Sequence, residues 1–293
     1  MTRALAISRA GSRPAARQRP QLTPAMTCAE AFRVAARGCL DDIAAQHDAT
    51  CQGDPDALHR TRIALTRLRS LVSFFPAMAK QPRWMRLRSE LRWLNGYLGP
   101  ARDMDVAMAA STAKSGRTKA GHDAASKAWA GSHRRLERAL RSQRYRRLIT
   151  DLSRWIGQDR SGRTAAVSGP FADHAALKLE RWHKRLLKRS RHIAAMDSDE
   201  LHKLRLRTKR FRYAVEFCEG LCDRKHRARQ QAMLKHLRKA QAALGHLNDM
   251  ENRRVLSASP DATGTRENKR VRRLMADAET AYRKMAEVKP FWG

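Results

Sequence analysis

Apolar residues recur along this chain at spacings of three and four, and the strict alternation of a strand is nearly absent. The pattern predicts an all-α protein. A first helix starts at Thr27, where Thr27-x-x-Glu30 forms a capping box, and runs through Phe32, Val34, Leu40 and Ile43 to about residue 49. After the break Gln52-Gly53-Asp54-Pro55, Asp56 is the expected cap of a second helix that ends near Pro76. A third spans about 83–98 and is expected to stop at Gly99-Pro100, with Gly99 as its C-cap, before a short helix carrying Arg102-Asp103-Met104-Asp105-Val106. Residues 111–121 read as a loop, and two further helical patterns cover about 122–141 and 143–157.

Residues 158–170 are rich in Gly and Ser and read as a linker, after which the pattern restarts. A long helix is expected over about 172–195, then one capped by Asp197-Ser198-Asp199, then one over 224–244 ending at Gly245, and a last one over about 266–288. The restart is a repeat. His59-x-x-Arg62-x-x-x-x-Arg67-Leu68-Arg69 returns as His202-x-x-Arg205-x-x-x-x-Arg210-Phe211-Arg212, and Val72 and Phe74 return as Val215 and Phe217. Leu98-Gly99-x-x-Arg102-Asp103 returns as Leu244-Gly245-x-x-Asn248-Asp249. Two homologous α-helical bundles follow, the first over about 27–157 and the second over about 171–292, behind a basic N-terminal tail of residues 1–24.

The repeat keeps charges as well as core positions, which points to a duplicated surface. On a helical wheel at about 100° per residue, His202, Lys209, Arg205 and Arg212 form one row. It borders the apolar stripe of Leu201, Leu204, Phe211 and Val215 instead of opposing it. The first copy has the same layout, with Thr66 where the second has Lys209. A charged face that served only solubility would lie on the far side. Cations three and four residues apart repel each other, so the rows need anions. Either Asp103, Asp105, Asp249 and Glu251 supply them, or a bound ligand does. Three turns advance about 16 Å at 1.5 Å per residue, enough to meet several phosphates of an extended chain. His59 and His202 stand at the starts of their helices, where a group from the Gly-Asp motif could orient them. Arg92 and Arg238, matched on the third helices, are the next candidates for anion contacts, while His183 and His236 read as packing or surface residues.

Composition sharpens this. Lys and Arg number 61 against 28 Asp and Glu, a formal net charge of +33 on 293 residues. Self-repulsion of that size costs stability, and a polyanionic partner relieves it; an Arg-rich proteome accounts for part of the excess. Counting along the chain, 46 of the basic residues are Arg, whose planar fork suits phosphate oxygens. The five cysteines are odd in number and make no CxxC pair, so they read as reduced core thiols of a cytosolic protein. No apolar run reaches membrane-spanning length. The tail carries five Arg and no acid; it reads as an unstructured tail, although a mitochondrial presequence looks similar.

At these residues the chain resembles the CHAD family, an α-helical domain named for its histidines. The resemblance rests on Leu58-His59-x-x-Arg62 with Arg67-Leu68-Arg69, Leu98-Gly99-x-x-Arg102-Asp103-x-Asp105, Leu201-His202-x-x-Arg205 with Lys209-Arg210-Phe211-Arg212-Tyr213, and Leu244-Gly245 with Asp249. The ending Lys289-Pro290-Phe291-Trp292 also fits, so the likeness covers about residues 25–292. It implies a pair of four-helix bundles with pseudo-twofold symmetry, binding of long-chain inorganic polyphosphate through a basic surface or channel, and association with polyphosphate granules and their other proteins. The triphosphate-tunnel hydrolase domain that often accompanies such domains has no counterpart pattern here. The expectation is a stand-alone, non-enzymatic binder without a cofactor.

The binding residues expected on residues and resemblance together are His59, Arg62, Arg67, Arg69, Arg92, Arg102, His202, Arg205, Lys209, Arg210, Arg212 and Arg238. The alternative is a non-specific nucleic-acid binder; aromatic residues make up only 6% of the chain, which leaves few stacking platforms. A phosphate-transfer enzyme or phosphatase using His59 or His202 is the third reading. It lacks a P-loop, an HExxH pattern and a full set of nucleophile, base and oxyanion donors.

Overall fold

The computed structural model describes residues 22–112, 119–157, 169–257 and 265–292. These residues are helical throughout, and their one extended contact is an isolated antiparallel bridge between Thr27 and Pro170. The first half holds α1 (Cys28–Ala45), α2 (His47–Cys51), α3 (Pro55–Phe74), α4 (Pro76–Ala79), α5 (Pro82–Thr112), α6 (Lys119–Arg141) and α7 (Gln143–Gly157). The second holds α8 (Phe171–Arg189) with a 3-10 turn at Ser190–Ala195, α9 (Ser198–Phe217) with a 3-10 turn at Cys218–Leu221, α10 (Arg224–Ser257) and α11 (Thr265–Glu287).

Local chemistry sets the helix starts. The Thr27–Glu30 capping box forms as expected, and α9 opens with another, Asp197 with Glu200. On α3 the cap is Asp54 and not Asp56. The Asp54 side chain accepts from the amides of Asp56 and Ala57 at 2.8 and 3.1 Å, and Pro55 occupies the first helical position, where its missing N–H costs nothing.

The larger correction concerns the Gly motifs. Neither Gly99 nor Gly245 ends a helix. α5 runs through Gly99 and Pro100 to Thr112, and α10 runs through Gly245 to Ser257, so the expected short helix after Pro100 is the continuation of α5. Pro100 leaves the Gly96 carbonyl without its helical donor, yet packing on both sides holds the helix: Leu91, Leu94, Leu98 and Ala101 are fully buried. Tertiary burial outweighs the local breaker signal.

α3 and α9 pack against each other and join the halves. Each buries one apolar stripe, Leu58, Leu65, Leu68 and Val72 on α3 and Leu204, Phe211 and Val215 on α9. At the end of α3, Phe75 stacks on His174 of α8 at 5.1 Å and lies 6.0 Å from Phe171, and the His174 Nε2 sits 2.9 Å from the Phe74 carbonyl oxygen. The bridge adds two main-chain bonds between the starts of the halves: Cys28 N–H to Gly169 O at 3.0 Å and Phe171 N–H to Met26 O at 2.9 Å. Truncating Phe74, which is wholly buried, would cost about 3–5 kcal/mol.

Leu22, placed in the tail by sequence, is buried, and it lies against Gly220 of the second half so closely that a Cβ there would come within 1.9 Å of the Leu22 carbonyl oxygen. Residues 1–21 of the expected tail and 158–168 of the expected linker lie outside the described residues. His183 is buried against Phe211 and Trp292, a packing residue as read. All five cysteines are free, and no metal-binding group of His, Cys, Asp and Glu occurs among the described residues.

Candidate anion-binding site

Because α3 and α9 pack together, the basic rows that flank their apolar stripes converge. The clearest sign is at Lys209. Its ammonium is pushed down to about 8, first by burial and then by the cations Arg205 and Arg212 of its own helix and Arg62 of α3. His59 is lowered as well, by burial, then by Arg102 of α5, then by Lys209. Arg62 is lowered by burial; Asp103 offsets part of this and Arg102 adds to it. Arg69 is lowered by burial and by Arg62 and Arg88. Cations of both halves thus occupy one electrostatic neighbourhood, half-buried and mutually repelling. Among the described residues Lys209, Arg205 and Arg210 have no ion-pair partner within 4 Å, and buried guanidinium nitrogens of Arg62 and Arg205 have no hydrogen-bond partner.

Gly99 explains part of the packing. A Cβ there would lie 3.6 Å from a terminal nitrogen of Arg62, so the bare backbone of α5 provides the flat surface on which that guanidinium rests. Arg69 is anchored differently: its terminal nitrogen donates to the Leu91 carbonyl of α5 at 2.7 Å.

The twelve expected residues do not form one group. His59, Arg62, Arg69, Arg102, Arg205, Lys209 and Arg212 are linked by the electrostatic contacts above. Arg102 is partly committed, donating to the Pro55 carbonyl at 3.2 Å and lying 3.7 Å from Asp105. His202 stands apart, its Nδ1 2.8 Å from Asn248 Oδ1, beside a cleft of about 300 Å³ lined by Leu201, Leu247 and Met275. The Gly-Asp motif therefore does orient this histidine, through Asn248 and not through a carboxylate. Arg92 and Arg210 are exposed, and Arg238 is exposed at the wall of a cavity that Arg67 and Arg212 also line.

Arg67 is the sharpest departure. It is buried, reaches across to α9 to pair with Glu216 at 2.9 Å, and lies over the rings of Tyr213 and Phe217 at 5.5 and 5.1 Å. The same carboxylate takes Arg212 through its other oxygen, while Arg212 Nε donates to Gln241 Oε1 at 2.8 Å. Sequence reasoning missed Glu216, although it lies four residues beyond Arg212 on the same wheel row. Asp105, weighed as a partner for the stripes, is turned elsewhere: it is buried with His133 at 2.8 Å and Trp129 at 2.9 Å.

The model of the CHAD domain family matches residues 34–257. The CHAD domain of the plant Ricinus communis, known from a crystal structure, is 27% identical and superposes with a TM-score of 0.72, over 95% of this chain and 98% of that one. PptA from Streptomyces chartreusis shares the fold at 14% identity, with a TM-score of 0.54 over 90% of this chain and 99% of that one. No curated protein sequence matches the chain. The family model spans both basic rows, both Gly-Asp motifs and the helices that bring them together, and on that match the chain belongs to the CHAD domain family.

Proposed function

We propose that this protein binds long-chain inorganic polyphosphate without turning it over, and that the shared cationic zone of α3 and α9 is the binding site. The observation that supports this reading most is the state of Lys209, held near 8 among Arg205, Arg212 and Arg62. Folding has gathered like charges and left Lys209 and Arg205 without an ion-pair partner within 4 Å among the described residues, which costs stability unless an anion completes the site. A row on each helix suits a ligand that is long, flexible and charged at every unit. Contacts from Arg and Lys to its oxygens are charge-assisted hydrogen bonds, and a chain that touches both helices gains from high effective concentration. Family membership adds the expectation that the resemblance carried, including residence at polyphosphate granules. No helix among the described residues is long and apolar enough to cross a membrane.

The net charge of +33 favours one second reading, non-specific attraction of nucleic acid. The two separate by competition at fixed ionic strength. Long polyphosphate is expected to displace labelled polyphosphate far better, per phosphate, than duplex DNA or RNA does, and incubation with Mg²⁺ or Mn²⁺ is expected to release no orthophosphate above a buffer control. Equal competition by DNA would support the second reading. Orthophosphate release that is lost in His202→Ala would make the protein an enzyme.

A further inference from the structure

The basic row of α9 does not run out into solvent. One turn beyond Arg212 it reaches Glu216, whose two carboxylate oxygens are divided between the halves, one to Arg67 of α3 and the other to Arg212. Both guanidiniums lie over Tyr213 as well, Arg67 at 5.5 Å and Arg212 at 4.3 Å. The group forms part of the wall of a cavity of about 990 Å³ between α1 and α3 on one side and α9 and α10 on the other, where Arg238 is a further cation. Arg67 Nε is buried there without a hydrogen-bond partner. At the matching place in the first half, one turn beyond Arg69, stands Ser73, whose hydroxyl turns back to the Arg69 carbonyl at 2.9 Å. One row ends in a carboxylate and the other does not.

We propose that Glu216 is a built-in counter-ion that determines where a bound polyanion can run: it holds the place a phosphate would take between Arg67 and Arg212 and keeps the chain out of the cavity between the halves. The proposal rests on the polyphosphate reading of the neighbouring zone. A carboxylate shared by two guanidiniums has the geometry that a phosphate would adopt with the same pair. A polyanion advancing past Lys209 meets this negative charge and must displace it, leaving a largely buried carboxylate unpaired. That repulsive element directs the ligand outward over Arg62, Arg205 and Lys209.

The test uses the full chain with Glu216→Gln and Ser73→Glu, alongside the parent. Glu216→Gln frees two guanidiniums, so long polyphosphate should bind roughly three- to tenfold tighter and with steeper salt dependence. Its melting temperature should fall without ligand and recover in inorganic phosphate, more than the parent gains at matched ionic strength. Ser73→Glu places a carboxylate one turn beyond Arg69 and should weaken polyphosphate binding by a similar factor. A folded Glu216→Gln that gains neither affinity nor phosphate-dependent stability overturns the proposal. If that variant does not fold, unchanged binding by Ser73→Glu overturns it. A parent that fails to bind polyphosphate removes the polyphosphate reading itself, a distinct outcome, while the inorganic phosphate melt still shows whether Glu216 fills an anion position.

Discussion

Arg67 of α3 and Glu216 of α9 lie 2.9 Å apart, and this ion pair ties the two halves of the chain through largely buried side chains, 11% and 16% exposed. Arg210 occupies the matching place in the second repeat, yet it is exposed and has no such partner. Equivalent positions in the repeat have taken different work, one structural and one at the surface. Removing one member of a buried pair costs about 3–5 kcal/mol because the other charge is left unpaired. Arg67→Ala is therefore expected to lower the midpoint of thermal or urea unfolding sharply, and Arg210→Ala to change it by no more than about 0.5 kcal/mol. Equal effects would mean that the pair does not hold the halves.

Lys209 makes stability and binding depend on pH in opposite senses. Its folded value, about 8, lies below the ordinary 10.5, so between those values the unfolded chain binds more protons and the stability of the ligand-free protein rises with pH. Polyphosphate favours the charged ammonium, so affinity is full below about pH 8 and falls as pH rises through it. Lys209→Met should stabilise the free protein at pH 7 by on the order of 1 kcal/mol and flatten the affinity profile between pH 7.5 and 9.5. Titration calorimetry and melting curves across that range check both. A parent profile that is flat there would show that Lys209 does not meet the ligand.

The motif partner of His59 is the cation Arg102, and that of His202 is Asn248. Arg102 and Lys209 add to burial in lowering His59, whereas His202 meets the uncharged Asn248. Arg102→Asn copies the second-half motif into the first. It should raise the His59 value measured by NMR titration. No movement of His59 would mean that Arg102 does not help to lower it.

Leu22 fixes the point at which the N-terminus can be cut. Deleting residues 1–21 should leave melting temperature and most polyphosphate affinity intact, whereas Gly220→Ala should destabilise the fold, since its Cβ would fall 1.9 Å from the Leu22 carbonyl oxygen. Limited proteolysis after Gly220→Ala is expected to clip residues near 22 first. Resistance equal to the parent would show that this crossing adds nothing to stability.

The all-α fold, the helix order and most helix bounds were legible because the apolar stripes of α3 and α9 are long and the starts of α1, α3 and α9 carry side-chain caps. The rows were legible too, since they keep their spacing in both halves. What the sequence hid was three-dimensional. Gly99-Pro100 reads as a stop, and only the buried Leu91, Leu94 and Leu98 show why α5 continues. Arg67 reads as one more cation of the stripe; only the packing of α3 on α9 shows that it faces Glu216, 149 residues away. His202 was expected to be oriented by a group of the Gly-Asp motif, but the spacing did not show that Asn248, and not Asp249, is the group that meets it. Spacing along a helix reveals which face a residue shares, but not what the neighbouring helix places opposite it.

If cations of α3 and α9 together make one anion site, the salt dependence of polyphosphate binding to Arg62→Ala/Arg205→Ala/Lys209→Ala reports it. None of the three has an ion-pair partner within 4 Å among the described residues, so the variant should fold and be at least as stable as the parent. Long-chain affinity should fall by about a hundredfold or more near physiological salt, and the slope of log affinity against log salt should become shallower, because fewer counterions are released per bound chain. A folded triple variant that binds long polyphosphate with the parent's affinity and slope would show that the two rows do not form one anion site.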